Sequence, residues 1–458
     1  MDHESIDRLS RLVAKRLNRR TLTAFAGLSL AAVATEPADL DAKKKKKNKQ
    51  CKGGLTRCSV KKGKKKKATC VNAQTDTAHC GGCGHACPSG QTCKNGACVN
   101  GSCTPDPKTV TCENTCGNVV NNCQQTVNCG ACGCLPVTTT SALQTAIDAV
   151  DPGETLTLCA GTWNITATLS IGADMTLKGV GVGQTILDGN DTVRVLKIEE
   201  DTVVDLEDLT IRKGLAFGAD NRGGGIRNDG SLDVRRVVVS DCEALHGGGV
   251  ANFGVLDLFD GAVLRENTAT QGGGGLDAGI GSETTMHDGS RILNNTAVHG
   301  GGVSLSSCQL TLGSGSRVSG NEGTTDVGGI NASSSTVILQ DGSVVGGATP
   351  EDANKGNANS GGIFIGNGTL TLESGSKVIG NTATLGAGIG ASFSNVTVRN
   401  GSRVTGNSAE SNGGGIQAFT GSVTVEAGAL VCDNQPLNAQ CAGAISGTCP
   451  APAQVCPV

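Results

Sequence analysis

Few side chains in this chain are placed to do chemistry. Asp205, Asp208 and Arg212 fall within one strand-like phrase, Leu206-Glu207-Asp208-Leu209-Thr210-Ile211 and its flanks. Carboxylates beside a cation could serve acid–base work, so these three are the charged cluster to consider, but such spacing is common within strands and no catalytic role is expected of them. Asp260, Asp288 and Asp341 look equally eligible until they are aligned. They then share a column with Ser374 and Asn400, each followed by a glycine. A short acceptor side chain before a residue free to take positive φ is turn chemistry, so these are read as turn formers. Two residues beyond those glycines lie Arg291, Arg317, Lys377 and Arg403, interrupted by Val263 and Val344. They form a basic stripe that either meets an anionic ligand or keeps outward strands soluble. His246 and His299 each precede a glycine triplet two repeats apart, too far to share a metal ion.

Cysteine supplies the other chemistry. Cys80-x-x-Cys83 and Cys129-x-x-Cys132 have the spacing of zinc ligands, with His79 and His85 beside the first pair. The remaining cysteines of residues 70–134 stand outside such pairs and need partners too. Disulfides account for them and for a segment too small to bury a core, so Cys80, Cys83, Cys87, Cys93, Cys98 and Cys103 are expected to be oxidised. Cys432, Cys441, Cys449 and Cys456 would close a cap at the other end. No metal and no cofactor are expected.

Oxidised cysteines require export, and the first 34 residues read as its signal. A charged segment ending in Arg19-Arg20 precedes the weakly apolar run Thr21–Ala34, and Ala32-Val33-Ala34 has the small-x-small form of a cleavage site. The arginine pair resembles a twin-arginine signal. Residues 35–69 hold 13 lysines and almost nothing apolar, which predicts an unfolded basic arm. Such an arm suits an anionic envelope polymer or serves as a solvated spacer. No aromatic residues interleave the lysines, so nucleic acid is not an expected partner. The net charge of -3 hides a division: residues 1–137 carry 22 Lys+Arg against 9 Asp+Glu, and residues 138–458 carry 16 against 32. No later segment is long and apolar enough to span a membrane. Oligomeric state is not legible.

What positions these residues is a repeat. The chain has 69 Gly, no Tyr, one Trp and 7 Phe, so its core must be built from small aliphatics. A glycine pair or triplet (Ala387-Gly388 in one copy) precedes Ile226, Val250, Leu276, Val303, Ile330, Ile363, Ile389 and Ile416, at steps of 24, 26, 27, 27, 33, 26 and 27 residues. An aliphatic-x-x-Asn phrase places Asn267, Asn295, Asn321, Asn381, Asn407 and Asn434 in one column, read as a ladder of stacked amides. The 33-residue step contains the polar stretch 348–360, read as a loop pushed out of the coil. One such coil cannot bury its aliphatics, and stacked coils make a continuous core. Before the repeat, Ser141–Val150 is an amphipathic helix, with Ser141 as its N-cap, followed by a strand at Thr155–Leu158.

The order helix, strand, Ala160-Gly161-Thr162-Trp163, then Gly179-Val180-Gly181 and Thr185-Ile186-Leu187-Asp188-Gly189, resembles the opening of pectate-lyase-like proteins. The Gly-Gly-aliphatic and aliphatic-x-x-Asn phrases resemble the repeats of polymorphic outer membrane proteins. His79-Cys80-Gly81-Gly82-Cys83-Gly84-His85-Ala86-Cys87 and the cysteines to Cys103 resemble the stigma-specific protein module. These resemblances imply a mainly β chain: a single right-handed parallel β-helix over 138–458 with an N-terminal capping helix, after a cysteine-rich module at 70–137. The expected function is that of a secreted or cell-surface scaffold that adheres to a glycan or a partner without catalysis. The alternative is a polysaccharide lyase or glycoside hydrolase, the activity such a fold often carries. The repeated acids are accounted for as turn formers. The phenylalanines Phe217, Phe253, Phe259, Phe364, Phe393 and Phe419 look scattered over different coils, which weighs against a sugar cleft.

Overall fold

The computed structural model describes residues 51–100, 118–128 and 133–446, apart from short gaps at 52, 63–64, 89–90, 122–124, 437–438 and 442–444. Arg19, Arg20, Ala34, Cys103, Cys449 and Cys456 lie outside the described residues, as does the side chain of Cys441. Contacts divide the chain into two compact units, one holding residues 134–458 and the other ending at Gly133.

The larger unit is a right-handed parallel β-helix of about ten turns. Each coil lays one strand in an eleven-stranded sheet, two in a 21-stranded sheet and, from Leu215 on, one in an eight-stranded sheet. One coil shows the plan. Val250–Asn252 joins the eleven-stranded sheet, Val255–Phe259 and Val263–Arg265 join the long sheet, and Thr268–Gly272 joins the eight-stranded one. In two early coils the long-sheet strands run unbroken, as Val203–Arg212 and Ser231–Ser240. Later coils break there at Asp260-Gly261 and its equivalents, where Gly261, Gly289, Gly342, Gly375 and Gly401 all have positive φ.

The eight aliphatics that follow glycine form one inward column, each fully buried. Leu256 and Leu258, Leu310 and Leu312, and their equivalents line the long sheet's inner side. Trp163 is 1 % exposed, so the chain's single tryptophan is core rather than surface.

The glycines and the asparagine ladder prove to be one device. Asn267 donates to Asn295, Asn295 to Asn321, Asn381 to Asn407 and Asn407 to Asn434, each Nδ2 to Oδ1 at 3.0 Å. The glycine just before the aliphatic lies against these amides at Gly249, Gly275, Gly302, Gly329, Gly362 and Gly388, whereas Gly225 lies against Cys242. A Cβ on Gly302 would come within 2.9 Å of the Asn321 amide nitrogen, and one on Gly388 equally close to that of Asn407. Only a bare backbone lets the amide column fill the corner.

The structure differs from the sequence reading of residues 348–360. Asn354, inside that stretch, is fully buried and continues the ladder, accepting from Asn321 and donating to Asn381 at 2.9 Å each. Ala353 and Ser360 are buried as well. The extra residues precede Asn354, between Val345 and the ladder, because an unfilled rung would leave amides above and below without partners. The helix also starts earlier than Ser141. It spans Thr140–Asp148 with Thr139 as N-cap, its hydroxyl accepting from the Ala142 amide at 3.2 Å, and it buries Leu143 and Ile147.

In the smaller unit, residues 56–71 are a hairpin rather than part of an unstructured arm. Thr56–Lys62 pairs antiparallel with Lys65–Val71. Disulfides Cys51–Cys70 and Cys58–Cys83 fasten it. Cys80–Cys93 and Cys87–Cys98 complete the described bridges of this unit. In the β-helix, Cys134–Cys159 ties the chain to its first coil, and Cys432 is disulfide-bonded.

Candidate functional site

The sequence-derived candidates do not converge. Asp208 sits at a kink with φ 55° and is held by Arg236, whose Nε lies 2.6 Å from Oδ1, and by Lys178 at 3.6 Å. The Arg236 hydrogen bond pulls its carboxyl below the usual range. Arg212 instead pairs with Asp188 at 2.7 Å. Asp205 belongs to an outward column with Asp233 and Asp257, one per coil. That column was legible as a repeated aliphatic-Asp-aliphatic phrase. Beside it Arg235 bonds Asp233 at 2.7 Å and lies over the Phe259 ring, which stacks at 4.0 Å on His287, itself 3.0 Å from Asp257.

The basic stripe is real as a register: Arg291, Arg317, Lys377 and Arg403 follow one another on the second strand of the long sheet, with Val344 between. Arg317 reaches past Val344 to the Gly346 carbonyl at 3.2 Å and to Asp352 at 3.3 Å. The other three point into solvent.

A more organised cluster lies on the outer side of the eleven-stranded sheet, where sequence reasoning placed nothing. Arg222 Nη1 lies 2.8 Å from Asp277 Oδ2. The pair reaches across the coil that contributes Ala251, whose methyl group leaves room for the guanidinium. Arg222 and Arg227 both lie over the Phe253 ring, at 5.5 and 5.0 Å, and that ring is packed above Gly279. Arg227 continues the lattice to Asp229 and Asp220, and Asp220 to Arg194. Asp277 is 4 % exposed, and burial pushes its carboxyl up to about 6 although Arg222 opposes the shift. His246, half-buried, is shifted down by burial and by the Arg222 charge.

Next to this cluster, at the corner between the eleven-stranded and long sheets, is a groove of about 370 Å³. Its walls are Gly281, Ser282, Glu283, Ser307, Cys308, Gln309, Ser334 and Thr336. Ser307 and Ser334 turn the corner at φ 52°. The groove offers hydroxyls, an amide and one carboxylate, a set that hydrogen-bonds sugars readily.

Four of the six phenylalanines of residues 138–458 fall on one side, while Phe217 and Phe259 lie elsewhere. Phe253, Phe364, Phe393 and Phe419 all lie on the eleven-stranded sheet or at the corner that follows it, with Phe393 66 % and Phe419 45 % exposed. Phe253 and Phe419 hold the same place in their repeats, three residues after Val250 and Ile416, while Phe364 and Phe393 hold two others, so the shared side shows only once the corner is built.

For metal, the sulfurs of Cys80, Cys87 and Cys98 cluster within 4.8 Å, but all three are disulfide-bonded and offer no thiolate. Cys242 and Cys308 are the free thiols among the described residues, both buried. Burial raises both, that of Cys242 to about 12.

No family model and no curated protein matches this chain, so the likeness to polymorphic outer membrane protein repeats and to the stigma-specific module finds no support there. Among solved structures, the A-module of Azotobacter vinelandii mannuronan C-5 epimerase AlgE6 is similar at 18% identity and a TM-score of 0.39, over 69% of this chain and 97% of that one. The AlgE4 A-module of the same organism gives 14% and 0.35 over 70% and 96%. The catalytic domain of a GH87 alpha-1,3-glucanase in complex with tetrasaccharides gives 11% and 0.33 over 77% and 71%. With every TM-score below 0.5, what those proteins act on says nothing about this chain.

Proposed function

We propose that this chain is an exported β-helix that binds a polysaccharide on its eleven-stranded sheet and the adjoining corner. The groove carries the reading: a site lined by hydroxyls, an amide and one carboxylate, on the corner column of Ser307 and Ser334 that the exposed Phe393 continues. Rigid aromatic faces and short neutral donors are what sugar rings pair with. Export is supported by the density of disulfides, which form outside a reducing cytoplasm. The lysine-rich segment before the β-helix then serves attachment to an anionic envelope polymer. The test is a glycan-array screen of the full mature chain, with and without calcium. Failure of the folded protein to retain any glycan would refute it.

Asp277 favours a second reading, a polysaccharide-cleaving enzyme. A buried carboxyl titrating at about 6 is suited to proton transfer near neutral pH. Turnover of any bound polymer that disappears in a folded Asp277→Asn variant would establish it. Binding without turnover would leave Asp277 as the anchor of Arg222 alone.

A further inference from the structure

Charge is segregated around five successive coils in a way that no requirement of the fold explains. In five successive coils the arc running from the eleven-stranded sheet, round the corner and along the first long-sheet strand comprises residues 303–312, 330–339, 363–372, 389–398 and 416–425. Not one of these residues is charged. The stretches between and after these arcs, 313–329, 340–362, 373–388, 399–415 and 426–434, hold all the Asp, Glu, Lys and Arg residues of the same coils, among them Arg317, Asp352, Lys377 and Arg403. The same corner in earlier coils is charged, at Glu199, Glu200, Asp201 and Asp229, so the geometry of the turn does not forbid charge. Outward strand positions are where soluble proteins place charges against edge and face association. A neutral side on so acidic a body marks a surface whose desolvation is kept cheap, since burying unpaired charges is costly.

We infer that this neutral side binds an uncharged polysaccharide chain laid parallel to the helix axis, which names the substrate class within the glycan-binding reading and rests on it. Parallel strands repeat at about 4.8 Å, so the five coils offer equivalent side chains over roughly 19 Å along the axis. A partner that is itself linear and repetitive matches such a column. The outward long-sheet column Thr311, Ile338, Thr371, Thr397 and Thr424 is β-branched throughout, and β-branched side chains are restricted in rotamer, so little entropy is lost on binding. Exposed rings stand at the far end, Phe393 and Phe419, and the Phe364 ring lies against Gly390 between them and the groove. Rings of this kind meet the apolar faces of sugars. No carboxylate lies on the five arcs to recruit calcium, and no cation to recruit a uronate.

The test compares binding of the full chain to neutral oligomers (α-glucan, β-glucan, chitin) and to anionic ones (alginate, polygalacturonate), at low and high salt. Neutral oligomers are expected to bind, calcium-independently and with little effect of salt. Asn367→Asp with Asn395→Asp adds two charges without changing shape, and Asp tolerates the φ of 52° at position 367. That variant, and separately Phe393→Asn with Phe419→Ser, should weaken neutral-oligomer binding about tenfold or more (~1.4 kcal/mol). Arg403→Gln should not. Circular dichroism of each variant confirms the fold. Binding confined to anionic polymers, abolished by salt and by Arg403→Gln, would overturn the inference and leave glycan binding standing on the basic column. Self-association relieved by the phenylalanine variant, with neutral-oligomer binding unaffected, would also overturn it. Absence of all glycan binding would overturn both readings.

Discussion

Asn321 donates its side-chain amide to Oδ1 of Asn354 at 2.9 Å, across 33 residues of chain, although every other step of that ladder spans 26 to 28. The six extra residues are absorbed before the rung is reached, so the ladder is the feature the coil preserves. Asn321 also donates to the Ile292 carbonyl and accepts from the backbone and side-chain amides of Asn295. Asn321→Ala strips four hydrogen bonds from a fully buried position. It is expected to destabilise the β-helix by about 3 kcal/mol, read as a fall in the thermal or denaturant midpoint. A change indistinguishable from zero would show that the ladder is incidental.

Two glycine-to-alanine changes separate steric from conformational demands. At Gly302 a Cβ would meet the Gly329 carbonyl at 2.8 Å and the Asn321 amide at 2.9 Å. At Gly261 it would meet nothing within 4 Å, and only the φ of 73° opposes it. Gly261→Ala should cost about 1–2 kcal/mol. Gly302→Ala should cost more, and comparing the denaturant midpoints of the two variants checks the order; equal midpoints would show that the amide column yields to a methyl group.

Asp277 makes stability depend on pH with a definite sign. Its folded pKa of about 6 lies above the ordinary 3.8. The native state therefore holds this proton more tightly than the unfolded chain. The resulting stability is complete below about pH 4 and is lost as pH rises through about 6. Comparing melting at these two ends, Asp277→Asn should shrink the difference between acidic and neutral pH, by on the order of 2 kcal/mol. An unchanged pH profile would place the carboxyl at an ordinary pKa.

Thiol reactivity tests the cysteine chemistry. Cys242 and Cys308 should resist alkylation in the native protein and react once it is unfolded without reductant. The mature protein should hold mostly oxidised cysteines and no stoichiometric zinc. Free thiols in the residue 51–100 unit, with one or two zinc ions bound, would replace the disulfides with tetrahedral sites.

For export, Arg19→Lys with Arg20→Lys should trap the chain inside the cell. Continued secretion of that double variant would assign it to the general pathway.

The sequence by itself determined the β-helix, because a solenoid writes its register into one dimension. Glycine before Ile330 or Ile363 and asparagine after Val318 or Val404 recur at fixed steps, and each step is one turn. Which residues meet across coils is set by packing between turns and is not written in the repeat. Arg222 and Asp277 lie 55 residues apart and meet over the small side chain of Ala251. Phe253 and Phe419 hold one place in their repeats and Phe364 and Phe393 two others, yet all four share one side. Asn354 escaped notice because no aliphatic-x-x-Asn phrase announces it. A side chain's distance along the axis follows from counting coils, but its reach around and across them follows from rotamer, neighbour size and burial, which no repeat period encodes.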